Sequence, residues 1–235
     1  MVPSNHPKLP KKKTGVLIVN LGTPDSTDWW DIRKYLKEFL SDRRVIEVNP
    51  IVWQIILNLF ILTFRPSKTA YAYKKIWRKD TNESPLLFFT RNQAIKLSDK
   101  IGNEKIIVDF AMRYGNPGIK SKIEKMHKEG CEKLIILPLY PQYASASTGS
   151  TIEKCYELIS KWWNFPKVSV INHFCDNDDF INCFVANTKK MNYLTYDHIL
   201  FSYHGLPERH VDKVYTDQTL CKDHSCEDGL KNDNK

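Results

Sequence analysis

The chain has 235 residues, 42% of them hydrophobic and 12% aromatic, so it is globular, with apolar mass for one large or two small α/β domains. Its formal net charge of +8 suits an anionic partner, but no DNA- or RNA-binding motif accompanies that charge, which argues against nucleic acid. Six cysteines, Cys131, Cys155, Cys175, Cys183, Cys221 and Cys226, follow no small-domain disulfide framework and point to a reducing, cytoplasmic setting.

Residues 1–13, with Lys8, Lys11, Lys12 and Lys13 among prolines and no apolar segment, read as a flexible basic tail and not as a secretory signal. Thr14 to Asn20 (TGVLIVN) is a buried strand closed by the turn Leu21-Gly22-Thr23-Pro24-Asp25, which opens a Rossmann-like unit. A single glycine in that turn is not a dinucleotide fingerprint, so nicotinamide and flavin cofactors are disfavoured. Asp28 stands where it can cap a helix carrying Trp29, Ile32, Leu36, Phe39 and Leu40 on one face, and Ser41-Asp42-Arg43-Arg44 ends it.

From Pro50 to Pro66 the pattern is a helix apolar nearly all round, which must be buried or must meet lipid or an apolar ligand. Its oily part, Ile51 to Phe64, has 14 residues, short of the roughly 20 that a bilayer requires. An aromatic helix with Tyr71, Tyr73, Ile76 and Trp77 follows, then a turn at Glu83-Ser84-Pro85-Leu86, then a helix with Ala94, Leu97 and Ile101 inward.

Lys105 to Met112 is a second strand, with Arg113-Tyr114-Gly115-Asn116-Pro117 at its carboxyl end. Arg113 offers a planar fork for a ligand carboxylate and Tyr114 a ring face for stacking, with a plain structural role as the alternative for both. A helix from Ile119 to Lys128 closes at Gly130, and Glu132 to Tyr140 is a third strand. The hydroxyl-rich loop Pro141 to Ser150 opens the next helix and favours an anion, although it lacks the Walker lysine. Trp162 to Pro166 reads as a domain junction. Beyond it come a strand from Val168 to Phe174, a helix started by Asp178 with Phe180, Ile181 and Phe184 on one face, and a strand from His198 to Ser202. His204 follows that last strand, where open α/β sheets hold ligands, and an imidazole there can take a proton or bind a metal; the plainer alternative is a hydrogen bond to a nearby carbonyl.

Several ordered motifs carry a resemblance: Asn20-Leu21-Gly22-Thr23-Pro24, Tyr35 to Asp42 (YLKEFLSD), Met112-Arg113-Tyr114, Pro138 to Tyr143 (PLYPQY) with Ser147-Thr148-Gly149-Ser150, and Phe201 to Pro207 (FSYHGLP). From about Thr14 to Lys213 the chain resembles the ferrochelatase family, whose members insert ferrous iron into a porphyrin at the end of haem synthesis. The resemblance implies an α/β fold of two Rossmann-like lobes, parallel sheets flanked by helices, with a cleft between them. Residues 14–163 would form the first lobe, 164–213 the start of an incomplete second lobe, and 214–235 a polar Cys-containing loop.

By that resemblance His204 is the active-site imidazole, acting as proton acceptor or as a ligand of Fe(II), the substrate metal. Leu21, Arg113, Tyr114 and Tyr140 line the porphyrin cleft, and Ser147 and Thr148 belong to its wall. The segment 51–64 becomes an apolar lip that guides the porphyrin and touches a membrane, which places the protein at the periphery of the inner membrane. The family's active-site glutamate has no counterpart here, and the expectation is of a ferrochelatase truncated at its C-terminus. Cys221 and Cys226 would be half of a [2Fe-2S] site, which needs four ligands, only in a longer form; two surface thiols are the alternative. Ala144 and Ala146 argue against the animal type of cluster. Rival readings are a chelatase for another tetrapyrrole or metal and a non-catalytic tetrapyrrole-binding protein.

Overall fold

The computed structural model describes residues 12–207, 210 and 213. The chain divides into two units, one running to His173 and the other starting at Phe174. In the first unit the described residues form a parallel sheet of β1 (Lys13–Thr23), β2 (Ile106–Gly115), β3 (Cys131–Pro138) and β4 (Lys167–Val170) in the order β2-β1-β3-β4. Between the strands lie α1 (Trp29–Leu40), α2 (Pro50–Ile56), α3 (Leu62–Ile76), α4 (Pro85–Ile101), α5 (Ile119–Lys128) and α6 (Ser150–Ile159).

Central β1 is apolar on both faces because both are covered. Leu17 and Val19 join Ala111, Leu134 and Ile136 against Ile123 and Met126 of α5 and Cys155 and Ile159 of α6. A second cluster holds Ile32, Tyr35, Leu36 and Leu40 of α1 with Leu57, Leu62, Ala70 and Tyr114. Connection from β1 leads outward to β2 and then back across β1 to β3, so the strand order reverses beside β1. Crevices outside the carboxyl ends of strands at such a reversal are the natural ligand sites of open α/β sheets.

Several elements differ from the sequence reading. The strand after the Trp-Pro junction does not open a second lobe: β4 pairs with β3 in the first sheet, and Val168 and Val170 pack on the first core beside Trp162. The division between units falls after His173 instead. β1 and β2 run on to Thr23 and Gly115, so Leu21, placed in the turn by the sequence, and Arg113 and Tyr114, placed just past the second strand, are strand residues. Ile101 is exposed at the end of α4. Asp28 makes no side-chain cap to α1.

The oily helix does not stop at Pro66. α2, a π turn (Leu57–Ile61) and α3 form one helical run of 27 residues, Pro50–Ile76, long and apolar enough to cross a membrane by length and composition alone. Leu57, Leu62, Pro66 and Ala70 are its buried residues. Their spacing of five, four and four places them on one face because the π turn absorbs one extra residue, and burying that stripe against α1 outweighs the single backbone bond that proline forfeits. The opposite face, with Ile51, Val52, Ile55, Leu59, Phe60 and Phe64, is exposed.

The second unit, from Phe174 onward, contains α7 (Asp178–Lys190), begun by Asn177, whose side chain accepts from the Phe180 amide at 3.1 Å. Asp178, read as the starter, is therefore the first helical residue. Ile181 and Phe184, read on one face of this helix, are exposed, and α7 buries no residue. The stretch 198–202 forms no strand; Leu200 is 92% and Phe201 81% exposed. A parallel strand exists only through ladder bonds to a neighbour, and among the described residues of this unit there is none.

Candidate functional site

The carboxyl ends of β1 and β2 are pinned together by two glycines. Gly22 has φ +114, and a Cβ there would lie 1.8 Å from the Tyr114 carbonyl oxygen; Gly115 has φ +83, and a Cβ there would lie 2.4 Å from the Thr23 oxygen. Only residues without a side chain allow this approach. Beside it opens a cavity of about 500 Å³, lined by Asn20, Gly22 and Thr23 of β1, Tyr73 of α3, and Ser84 and Phe89 at the start of α4. Its size lies within the usual range of small-molecule sites.

Apolar walls and a few fixed polar groups characterise this cavity. Ser84 caps α4 by accepting from the Leu87 amide at 3.1 Å. The Asn20 side-chain amide donates to Thr90 Oγ1 at 3.0 Å, while its carbonyl oxygen accepts from the Leu21 amide. Thr23, one of the lining residues, has its Oγ1 buried without a partner in the protein. The sequence places Tyr73 in an aromatic helix and Ser84 in a turn without marking either as a site residue, and it does not single out Phe89 or Thr90. Thr90 in an otherwise apolar helical turn was the signal that could have found this wall.

A polar hub joins the end of β2 to the segment after α1 and to the start of α6. Asp42 Oδ2 accepts from Arg113 at 2.5 Å, from Ser150 Oγ at 2.5 Å and from the Tyr114 hydroxyl at 2.7 Å, and Asp42 Oδ1 accepts from the Arg44 amide at 2.8 Å. Arg113 Nε also donates to Ser150 Oγ at 2.7 Å. The Arg113 and Asp42 side chains are 13% and 7% exposed, so this is a buried ion pair. Burial pushes the Asp42 carboxyl up, but the hydrogen bonds from Ser150, Tyr114 and the Arg44 amide and the Arg113 charge outweigh it and hold the pKa below the ordinary carboxylate value. Asp42 is thus ionised at neutral pH. Burial raises the Tyr35, Tyr114 and Tyr140 phenols, so these remain neutral.

These contacts revise several expectations. Tyr114 is fully buried, edge-on to Phe39 at 5.0 Å, and has no ring face to offer a ligand. The Arg113 fork is occupied by Asp42, and the anion expected at the start of α6 is this same protein carboxylate. Leu21 is half-buried against the α1 cluster. The Tyr140 hydroxyl is buried beside Thr151, Thr148 Oγ1 is buried without a protein partner, and Ser147 is half-buried in a π turn, Ser145–Gly149, of the kind often found at functional sites.

His204 belongs to the second unit, exposed, with Nδ1 2.7 Å from the Gly205 carbonyl oxygen. Cys221 and Cys226 lie outside the described residues. Among the described residues no three His, Cys, Asp or Glu side chains gather as a metal cage.

A parallel sheet with crossover helices, a strand-order reversal and an apolar cavity at the strand ends defines a Rossmann-type α/β protein of the chelatase kind. The ferrochelatase family model matches residues 13–228, and the chain belongs to the ferrochelatase family. It is 48% identical over 204 residues to the ferrochelatase of Francisella tularensis subsp. tularensis (strain WY96-3418), covering 86% of this chain and 61% of that protein. The ferrochelatase of Francisella tularensis subsp. novicida (strain U112) gives the same identity and coverage. That of Francisella tularensis subsp. holarctica (strain FTNF002-00 / FTA) is 50% identical over 204 residues, covering 86% of this chain and 60% of that protein. The chain therefore spans about three-fifths of the length of the curated relatives it matches.

Proposed function

We propose that this chain carries the first lobe and the catalytic histidine segment of an enzyme that inserts ferrous iron into protoporphyrin IX to form haem. The observation that carries this reading is the apolar cavity of about 500 Å³ at the strand ends, in a chain of this family. A porphyrin exchanges two pyrrole protons for the metal, and its nitrogens accept the ion only once the ring is bent. A cleft that grips the ring periphery supplies the bend from binding energy, and the His204 imidazole accepts a proton or binds the entering Fe(II). Ser147, Thr148, Leu21 and Tyr140 are assigned to the porphyrin wall; Arg113 and Tyr114 support that wall from behind.

Porphyrin titration followed by ferrous or zinc incorporation tests the reading. Quenched or shifted porphyrin fluorescence with metal uptake is the expected result; fluorescence change without uptake leaves a tetrapyrrole-binding protein, and no fluorescence change ends both. His204→Ala is expected to lower insertion at least ~100-fold, as for loss of a general base. A variant within a few-fold of wild type removes His204 from the chemistry.

The exposed face of the Pro50–Ile76 run is assigned to a membrane surface in a reducing cytoplasmic compartment. Support comes from its exposed Phe60 and Phe64, from Arg65, Lys68, Lys74 and Lys75 with no acidic residue along the helix, and from the free thiols of Cys131, Cys155, Cys175 and Cys183. Because its other face is packed on α1, the helix is expected to lie in the interface. Phe60→Ser with Phe64→Ser should weaken co-sedimentation with anionic vesicles about tenfold or more. Wild-type protein found wholly in the supernatant would sink the assignment.

A further inference from the structure

We propose that Asp42 and Arg44 form a clamp that holds the Ser145–Ser150 loop in place, Asp42 acting as a positioning residue for whatever the loop contacts. On the porphyrin reading above, that is one edge of the macrocycle.

The loop has no apolar anchor of its own. Its buried residues are Thr148, Gly149 and Ser150, followed by Thr151, all small or polar, so hydrophobic burial contributes little to its position. Two polar ties from the segment after α1 take that place. Asp42 receives Ser150 Oγ at 2.5 Å and is itself fixed by Arg113 and Tyr114. Arg44 donates to Ser145 Oγ at 3.0 Å and pairs with Glu153 of α6, so it grips the loop at its other end. Gly149 sits between them, where a Cβ would lie 3.2 Å from an Arg44 nitrogen and 3.1 Å from the Tyr143 hydroxyl. The two ties thus close on the π turn from both ends.

What the clamp presents is a set of buried hydroxyls. Thr148 Oγ1 is buried without a protein partner, and the buried hydroxyls of Tyr140 and Thr151 lie beside each other. Buried polar groups without partners are uncommon in native proteins and mark places where a ligand or ordered water completes the set. Asp42 is connected to the cavity as well, since Tyr114 packs in the cluster with Leu21, Tyr35 and the cavity residue Tyr73. A proton-acceptor role for Asp42 does not fit, because its carboxylate is saturated with donors and stays ionised.

The test uses the full 235-residue chain, hydrogen–deuterium exchange by mass spectrometry, and protoporphyrin IX as fluorescent probe. Asp42→Ala is expected to speed amide exchange in residues 143–151 at least ~10-fold with little change in β1, and to weaken porphyrin binding about tenfold. Asp42→Asn, which keeps an acceptor oxygen, should recover part of both. Arg44→Gln, on the exposed side of the clamp, should loosen the loop to a smaller extent and covers the case in which Asp42→Ala does not fold. Unchanged loop exchange in both the Asp42→Asn and Arg44→Gln variants overturns the clamp. A loosened loop with unchanged porphyrin affinity overturns the positioning role. Wild-type protein that binds no porphyrin overturns the porphyrin reading, and the exchange measurement then decides the clamp by itself.

Discussion

Gly22→Ala is expected to abolish stable folding of the first unit. At φ +114 an alanine is strained, and its Cβ would stand 1.8 Å from a backbone oxygen of Tyr114, the residue paired with Gly22 in the β1–β2 register. No side-chain rotation relieves that overlap, because both partners are main chain in adjoining strands; the ladder has to part at the end where the cavity opens. The cost should exceed about 4 kcal/mol, the range reached by severe steric and strain defects, against a total of about 5–15 kcal/mol for a typical domain. Urea unfolding followed by circular dichroism measures it. Gly118→Ala is the control: its Cβ would meet only the Gly115 oxygen at 3.4 Å, and it sits at the start of α5, where the loss should stay near or below about 1 kcal/mol. Gly22→Ala with stability within about 1 kcal/mol of wild type would refute the close approach.

Arg113→Ala carries the second large expected effect, about 3–5 kcal/mol at neutral pH, because removing one member of a buried pair strands the other charge. The pH dependence identifies the cause. In the wild type the Asp42 pKa is lowered, so its stabilising contribution is present above the ordinary carboxylate pKa and is lost as pH falls through the folded-state value. In the variant the carboxylate loses its counter-charge while remaining largely buried, and its pKa rises. The stability difference between the two proteins should therefore be full at pH 7 and shrink as pH falls and Asp42 takes up a proton in the variant before it does in the wild type. A difference that stays constant from pH 7 to pH 3 would show that Arg113 acts through packing and not through Asp42. Porphyrin affinity should fall in parallel with stability if Arg113 supports the wall from behind, whereas lost affinity with intact stability would return it to direct ligand contact.

Much of the first unit was legible in the residues. The apolar runs at Val16–Val19, Phe110–Met112 and Leu134–Leu137 gave three parallel strands, and Ile123 and Met126 gave the buried face of α5. The family was legible too, because short motifs such as Asn20-Leu21-Gly22-Thr23-Pro24 and Met112-Arg113-Tyr114 are specific when they occur together and in order. The helix from Pro50 was seen, but its extent was not. A π turn shifts the buried stripe by one residue, and a strict 3.6-residue period read through Leu57 and Leu62 loses the phase before Pro66. At the site, Arg113, Tyr114 and Ser150 stand out as polar residues near strand and helix ends, whereas Asp42 reads as a helix breaker and the last residue of a family motif, with no role in the site. Nothing local distinguishes it: its partners are 71, 72 and 108 positions away.

The amino-acid sequence by itself determined what depends on near neighbours and on composition: the first three strands and most helices of the first unit, the glycines that permit the tight approach at Gly22 and Gly115, the apolar character of the helix from Pro50, and membership of the family. Tertiary structure alone decided which charges meet. Whether Arg113 faces a ligand or Asp42, whether Tyr114 exposes a ring or buries it, and whether β4 belongs to one sheet or opens another follow from long-range contacts. Those choices are made by the need to pair each buried polar group and cover each apolar face, and that need is satisfied by residues far apart in the chain.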